Sequence, residues 1–169
     1  MVITEPPPMS ISETHSDYNG FGVSCFGETD GFIDVTVTGG TGIYTYSWSN
    51  GATTEDLENI GAGTYTLTAL DENGCPINME VTLDEPEDEI SINVSQSDYN
   101  SYGVSCFGAE DGFIDISITG GTESYSFLWS NGATTEDLND IGVGTYTITV
   151  TDTNNCSETS TIEITEPEP

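Results

Sequence analysis

The chain repeats itself at a period of 81 residues, which restricts it to an array of small modules that each fold around their own core. Cys25, Trp48 and Cys75 recur as Cys106, Trp129 and Cys156, each shifted by 81. Two runs match without gaps: Gly-Val-Ser-Cys-Phe-Gly at 22–27 and 103–108, and Trp-Ser-Asn-Gly-Ala-Thr-Thr-Glu-Asp-Leu at 48–57 and 129–138. A boundary motif occurs three times, as Ile3-Thr-Glu-Pro6, Leu83-Asp-Glu-Pro86 and Ile164-Thr-Glu-Pro167. Its first copy reads as the tail of an earlier module. The spacing predicts a tail or linker over 1–8, a first repeat over 9–86 and a second over 87–169. The expectation is a two-module piece of a longer array.

Within each repeat the local signal is alternation at period two. Ile33, Val35 and Val37 point one way and Asp34, Thr36 and Thr38 the other. Ile114, Ile116 and Ile118 repeat the pattern. Tyr44, Tyr46 and Trp48 alternate with polar residues up to an Asn50-Gly51 turn; Tyr65, Leu67 and Ala69 form a further strand, and Met79, Val81 and Leu83 the last. Gly74 and its counterpart Asn155 sit in matching turns, and both residue types tolerate positive φ. No stretch has helical periodicity. Six or seven short strands in about 80 residues predict an all-β chain of two tandem immunoglobulin-like antiparallel β-sandwich modules.

Composition narrows the partners. Thirty Asp and Glu face no Lys or Arg, for a formal charge of −30. No side chain is available to neutralise phosphates, so nucleic acid is excluded as a partner and an anionic membrane surface is disfavoured. No apolar run reaches the length of a transmembrane helix. The abundance of Tyr, Phe, Trp and β-branched residues argues against disorder.

The four cysteines fall two per repeat at equivalent positions. Even parity and recurrence favour one disulfide inside each module, Cys25–Cys75 and Cys106–Cys156. Each would close about 50 residues and contribute on the order of 4 kcal/mol in a chain-entropy treatment. Such bridges imply an oxidising, extracytoplasmic setting. In strict immunoglobulin topology Cys25 and Cys75 start near opposite poles, so an intramodule bridge requires either that the long segment 17–31 run back along the sandwich or that the topology depart from that fold.

Taken together, Val23-Ser-Cys-Phe-Gly27, Asp30-Gly-Phe-Ile-Asp34, Thr38-Gly-Gly-Thr41, Tyr44-Thr-Tyr-Ser-Trp-Ser-Asn-Gly51, Asp56-Leu57, Gly63-Thr-Tyr65, Asp71 with Cys75, and the closing Glu-Pro resemble the SprB repeat. The resemblance covers both modules almost end to end. It implies an extracellular structural repeat in a very large adhesin of gliding bacteria, exported by type IX secretion to the cell surface. It carries over no catalytic residues. The partners it implies are neighbouring repeats of the same chain, with extracellular polysaccharide or a solid surface as candidate targets.

Three candidate sites remain. His15 is the lone histidine and its counterpart is Gln96, so no catalytic set recurs and an enzyme is not expected. Calcium favours six to eight oxygen ligands. Its candidate ligands are the residues that recur in loops and turns: Asp17, Asn19, Asp30, Asp34 and Asp71, with Asp98, Asn100, Asp111, Asp115 and Asp152. Glu13 and Glu28 do not recur, becoming Val94 and Ala109. No cofactor is required. For a glycan, ring stacking points to Tyr18, Phe21, Tyr99 and Tyr102 in Gly- and Asn-rich segments, because Tyr44, Tyr46, Trp48 and Tyr65 lie on the apolar phase of their strands.

Overall fold

A computed structural model describes residues 4–169. Ile3, the first residue of the leading boundary motif, lies outside the described residues. The described residues contain twelve strands and no helix, and none crosses a membrane as a helix. The chain divides into two compact units between Glu85 and Pro86.

The first unit holds β1 (Ser10–His15), β2 (Gly31–Thr38), β3 (Thr45–Trp48), β4 (Leu57–Ile60), β5 (Gly63–Leu70) and β6 (Pro76–Leu83). The second holds β7 (Ser91–Gln96), β8 (Gly112–Thr119), β9 (Ser126–Trp129), β10 (Leu138–Ile141), β11 (Gly144–Thr151) and β12 (Ser157–Ile164). One sheet of the first unit has the order β1-β2-β4 and the other β3-β5-β6, all antiparallel. The second unit repeats both sheets as β7-β8-β10 and β9-β11-β12. In immunoglobulin lettering the two sheets are A-B-E and C-F-G, the constant-type arrangement without strand D.

The alternation read from sequence is what builds the core. Along β2, Ile33, Val35 and Val37 are buried while their neighbours face solvent. They meet Leu67, Ala69, Val81 and Leu83 of the opposite sheet around Trp48. Ile114, Ile116, Ile148, Val150, Ile162 and Ile164 do the same around Trp129. Each indole Nε1 donates to a backbone carbonyl, Trp48 to Thr54 at 3.0 Å and Trp129 to Thr135 at 2.9 Å.

A second immunoglobulin feature follows. Tyr65, near the start of β5, donates its hydroxyl to the Gly61 carbonyl at 2.8 Å, and Tyr146 donates to Gly142 at 3.0 Å. This is the tyrosine corner of that fold, in which a cysteine stands two residues further on. Here Leu67 and Ile148 occupy that place, fully buried. The inter-sheet bridge of antibody domains is replaced by apolar packing.

Strand β4 escapes a reading by periodicity. It is four residues long, is interrupted by a bulge against β2, and has Asn59 at φ 55°. Leu57 is its one buried apolar residue, too little for a period to register.

Candidate functional site

The two poles of each unit carry the recurrent polar residues. Chain direction defines them. Strand β1 begins at the leading pole, beside the ends of β2 and β5 and the start of β6; β6 ends at the trailing pole, beside the starts of β2 and β5. Polypeptide therefore arrives at one end of the sandwich and leaves at the other.

The leading pole is organised by Asp71, which is buried. One carboxylate oxygen accepts from the backbone N–H and hydroxyl of Thr41, both at 3.0 Å. The other accepts from the N–H groups of Asn73 at 3.0 Å and Cys75 at 2.8 Å. Four donors stabilise the charged form, so the backbone bond from Cys75, followed by those of Thr41 and Asn73, holds this carboxyl below its ordinary range against the opposing effect of burial. Asp71 in turn raises the Cys75 thiol by its charge. Asp152 binds the backbone N–H groups of Thr122, Asn154 and Cys156 in the same way, each at 2.9 Å. The preceding segment is tied here too, with Gly40 N–H on the Pro7 carbonyl and Gly121 N–H on that of Asp88, each at 2.8 Å.

The trailing pole is capped by the loop between β1 and β2. Buried Ser16 receives the Phe32 N–H at 3.0 Å and donates to the Gly22 carbonyl. The N–H groups of Gly22 and Val23 both reach the Asp84 carbonyl. Val23 is fully buried beneath the loop. Glu85 accepts from Gly27 N–H at 2.7 Å, and Glu166 from Gly108 at 2.8 Å. This gives the recurrent Glu-Pro boundary a physical role: its glutamate anchors the loop that carries the first cysteine of each repeat. Sequence spacing alone held no signal for that pairing across 58 residues.

The candidate calcium ligands do not converge. Asp17 closes a tight turn by accepting from Gly20 N–H at 2.7 Å, as Asp98 does from Ser101, with Asn19 and Asn100 in the left-handed conformation. Asp30 accepts from Ser24 N–H, and Asp111 from Ser105, at the same pole. Burial alone would raise Asp30, but the hydroxyl and N–H of Ser24 outweigh it and hold the carboxyl low. Asp34 and Asp115 lie mid-strand on the exposed face of the sheet. Asp71 and Asp152 occupy the other pole. Among the described residues no three His, Cys, Asp or Glu side chains are grouped to hold a metal. His15 is exposed and 3.0 Å from Glu13.

Tyr18 and Phe21 pair across the turn, as do Tyr99 and Tyr102. The tyrosine hydroxyls of Tyr18 and Tyr99 donate to the Asp30 and Asp111 carbonyls. Tyr99 and Tyr102 are each 38% exposed, whereas Tyr18 and Phe21 are half-buried.

The cysteines depart from expectation. Cys75 and Cys106 are free, exposed thiols, whereas Cys25 and Cys156 are disulfide-bonded. Bridges Cys25–Cys75 and Cys106–Cys156 are therefore not formed. Cys75 immediately precedes β6 at the leading pole, while the loop holding Cys25 caps the trailing pole. Strand β6 spans eight residues, so the two lie roughly 20 Å apart at about 3.3 Å per residue. A disulfide needs Cα atoms within about 7 Å. The segment 17–31 does not run back along the sandwich.

Comparison with known proteins adds the following. Among curated proteins none matches this sequence. The chain aligns structurally with the C-terminal 282-residue fragment of intimin, solved in complex with the intimin-binding domain of translocated intimin receptor. That match has 16% identity and a TM-score of 0.48, and covers 93% of this chain but 64% of the fragment, under two thirds of its length. It also aligns with the amphioxus IgVJ-C2 molecule at 15% identity and a TM-score of 0.35, covering 72% of this chain and 88% of that one. The family model described as "SprB repeat" matches residues 23–53 and 102–134, one match in each unit. Each unit therefore contains a stretch similar to the SprB repeat.

Proposed function

We propose that the chain is an extracellular structural stalk segment of a large bacterial cell-surface adhesin that serves attachment and gliding. The resemblance to the SprB repeat implies a repeat of cell-surface adhesins, and the family model matches this chain once in each unit. The observation that carries the stalk role is the arrangement of ends in each sandwich. Chain arrives at the leading pole of each sandwich and departs from the trailing one, the arrangement of ends that joining repeats in series calls for. The boundary Leu83 to Glu89 contains Pro86 and no Gly/Ser tract, which suits a semi-rigid spacer. Neighbouring repeats are then the principal partners. The type IX route belongs to the same reading.

Antibodies raised against the two-repeat chain test it. They are expected to label intact, unpermeabilised cells that make the parent protein, and to stop their surface movement when added as bivalent molecules. Labelling seen only after permeabilisation would overturn the proposal. The glycan-binding alternative rests on exposed Tyr99 and Tyr102. Their counterparts are half-buried, so the two repeats do not present the same rings. Saturable binding of the chain to an immobilised polysaccharide, lost in Tyr99→Ala with Tyr102→Ala, would favour that alternative.

A further inference from the structure

Both repeats place a phenylalanine where a strand faces water. The outward positions of β2 are Phe32, Asp34, Thr36 and Thr38, and those of β8 are Phe113, Asp115, Ser117 and Thr119. All but the phenylalanines are polar. Phe32 is 41% exposed and Phe113 38%. Asp34 follows Phe32 on the same face, about 6.7 Å further along the strand, and Asp115 follows Phe113 in the same way. Across the sheet Phe32 is paired with Glu58 of β4, which brings a second carboxylate beside the ring. Asn139 stands at the equivalent position in the second repeat. The face of an aromatic ring is electron-rich, and flanking carboxylates strengthen its attraction for positive charge. Such a surface repels anions and offers a neutral ligand only ring contact. Its complement is a cation. The chain has no Lys or Arg to supply one, and a second copy has none either.

We propose that the outer face of the β1-β2-β4 sheet, at Phe32, Asp34 and Glu58, is a docking surface for an arginine-bearing segment of a different protein, and that Phe113 and Asp115 form a weaker copy of it in the second repeat. Arginine fits this surface better than lysine. Its planar guanidinium stacks on a ring and, in the same pose, directs N–H donors from its edge to a carboxylate. A lysine ammonium is a compact, strongly hydrated point charge that cannot stack. An extended segment laid along the strand turns alternate side chains toward the sheet, at the spacing that separates Phe32 from Asp34. The general acidity of the chain steers the cation inward and is screened by salt, whereas the ring selects which cation stays. The inference goes beyond the stalk role by naming the class of partner that a repeat can hold on its flank.

Calorimetric titration at physiological salt tests it with two capped peptides of equal length and charge, one alternating arginine with serine and the other lysine with serine. The arginine peptide is expected to bind more tightly. Phe32→Leu with Phe113→Leu keeps charge and apolar bulk but removes the rings, and should weaken arginine binding about two- to fivefold, the worth of an exposed cation–π contact. Phe32→Tyr with Phe113→Tyr keeps a ring and should bind as wild type does. Asp34→Asn with Asp115→Asn should weaken binding more than Glu72→Gln with Glu123→Gln, which removes the same charge from exposed leading-pole loops. Asn139→Glu should tighten it by completing the second copy. Leucine variants that bind as tightly as wild type, equal losses from the two pairs of charge changes, or equal affinity for the lysine peptide would reduce the effect to general attraction of a polycation and overturn the proposal. Failure to bind either peptide, or rings that hold a neutral polysaccharide in place of the arginine peptide, would overturn it as well. The readout is peptide binding alone, so its failure is distinct from failure of the cell-labelling test of the stalk.

Discussion

Several side chains sit where their chemistry, rather than their polarity alone, decides the outcome. Asp71 is the clearest case. As a recurrent loop aspartate it is a natural calcium candidate, yet its oxygens already accept four protein hydrogen bonds. Its folded pKa is lowered, so its stabilisation is present above the unfolded value near 3.9 and is lost as pH falls through the folded one. Asp71→Asn is expected to lower the melting temperature by several degrees at pH 7, because the amide nitrogen cannot accept. The gap to wild type should close as pH is lowered below about 4. A gap independent of pH in thermal scans would show that charge is not what the variant removes. Tyr65 offers a neutral comparison. Tyr65→Phe removes one hydrogen bond to Gly61 with little change of shape, and should cost about 1 kcal/mol in denaturant unfolding. Loss of more than about 3 kcal/mol would mean that the corner has a larger part in holding β5 than one hydrogen bond supplies.

At the level of elements, the loop between β1 and β2 turns out to be as structured as the strands. Gly22 lies so close to β6 that an added Cβ would meet the Leu83 Cβ at 2.6 Å, and Gly103 would meet the Ile164 side chain at 2.8 Å. Neither glycine is there for a positive φ; the space is what excludes a side chain. Gly22→Ala should therefore destabilise by about 1–3 kcal/mol through overpacking. Gly61, whose nearest neighbour to an added Cβ is at 3.5 Å, is the internal control. Gly61→Ala should be neutral or stabilise by up to about 1 kcal/mol by restricting the unfolded chain. Equal effects of the two substitutions on the denaturation midpoint would contradict the close packing of loop on strand. The turn at Gly74 and Asn155 was legible beforehand, since both positions need positive φ, and they adopt 82° and 67°. Strand β4 was not, because its pairing with β2 rather than any period of its own makes it a strand.

At the scale of the whole molecule, thirty acidic residues face no Lys or Arg. Self-repulsion then opposes folding and is relieved by screening. Raising sodium chloride from low to physiological strength and beyond should raise the melting temperature steadily. A fall would require favourable charge pairs that the composition does not provide. The repeat period, the strand alternation and the boundary motif are properties of residues close together in the chain, so two β-sandwich modules could be read directly from the amino-acid order. Recurrence also marked Cys25, Cys75, Asp30 and Asp71 as positions that matter. It could not say which of them meet. That depends on which pole of the sandwich each loop covers, and the poles are set by the sheet order β1-β2-β4 and β3-β5-β6. Eight-residue strands then stand between Cys25 and Cys75, and a distance of that size no spacing in the sequence expresses.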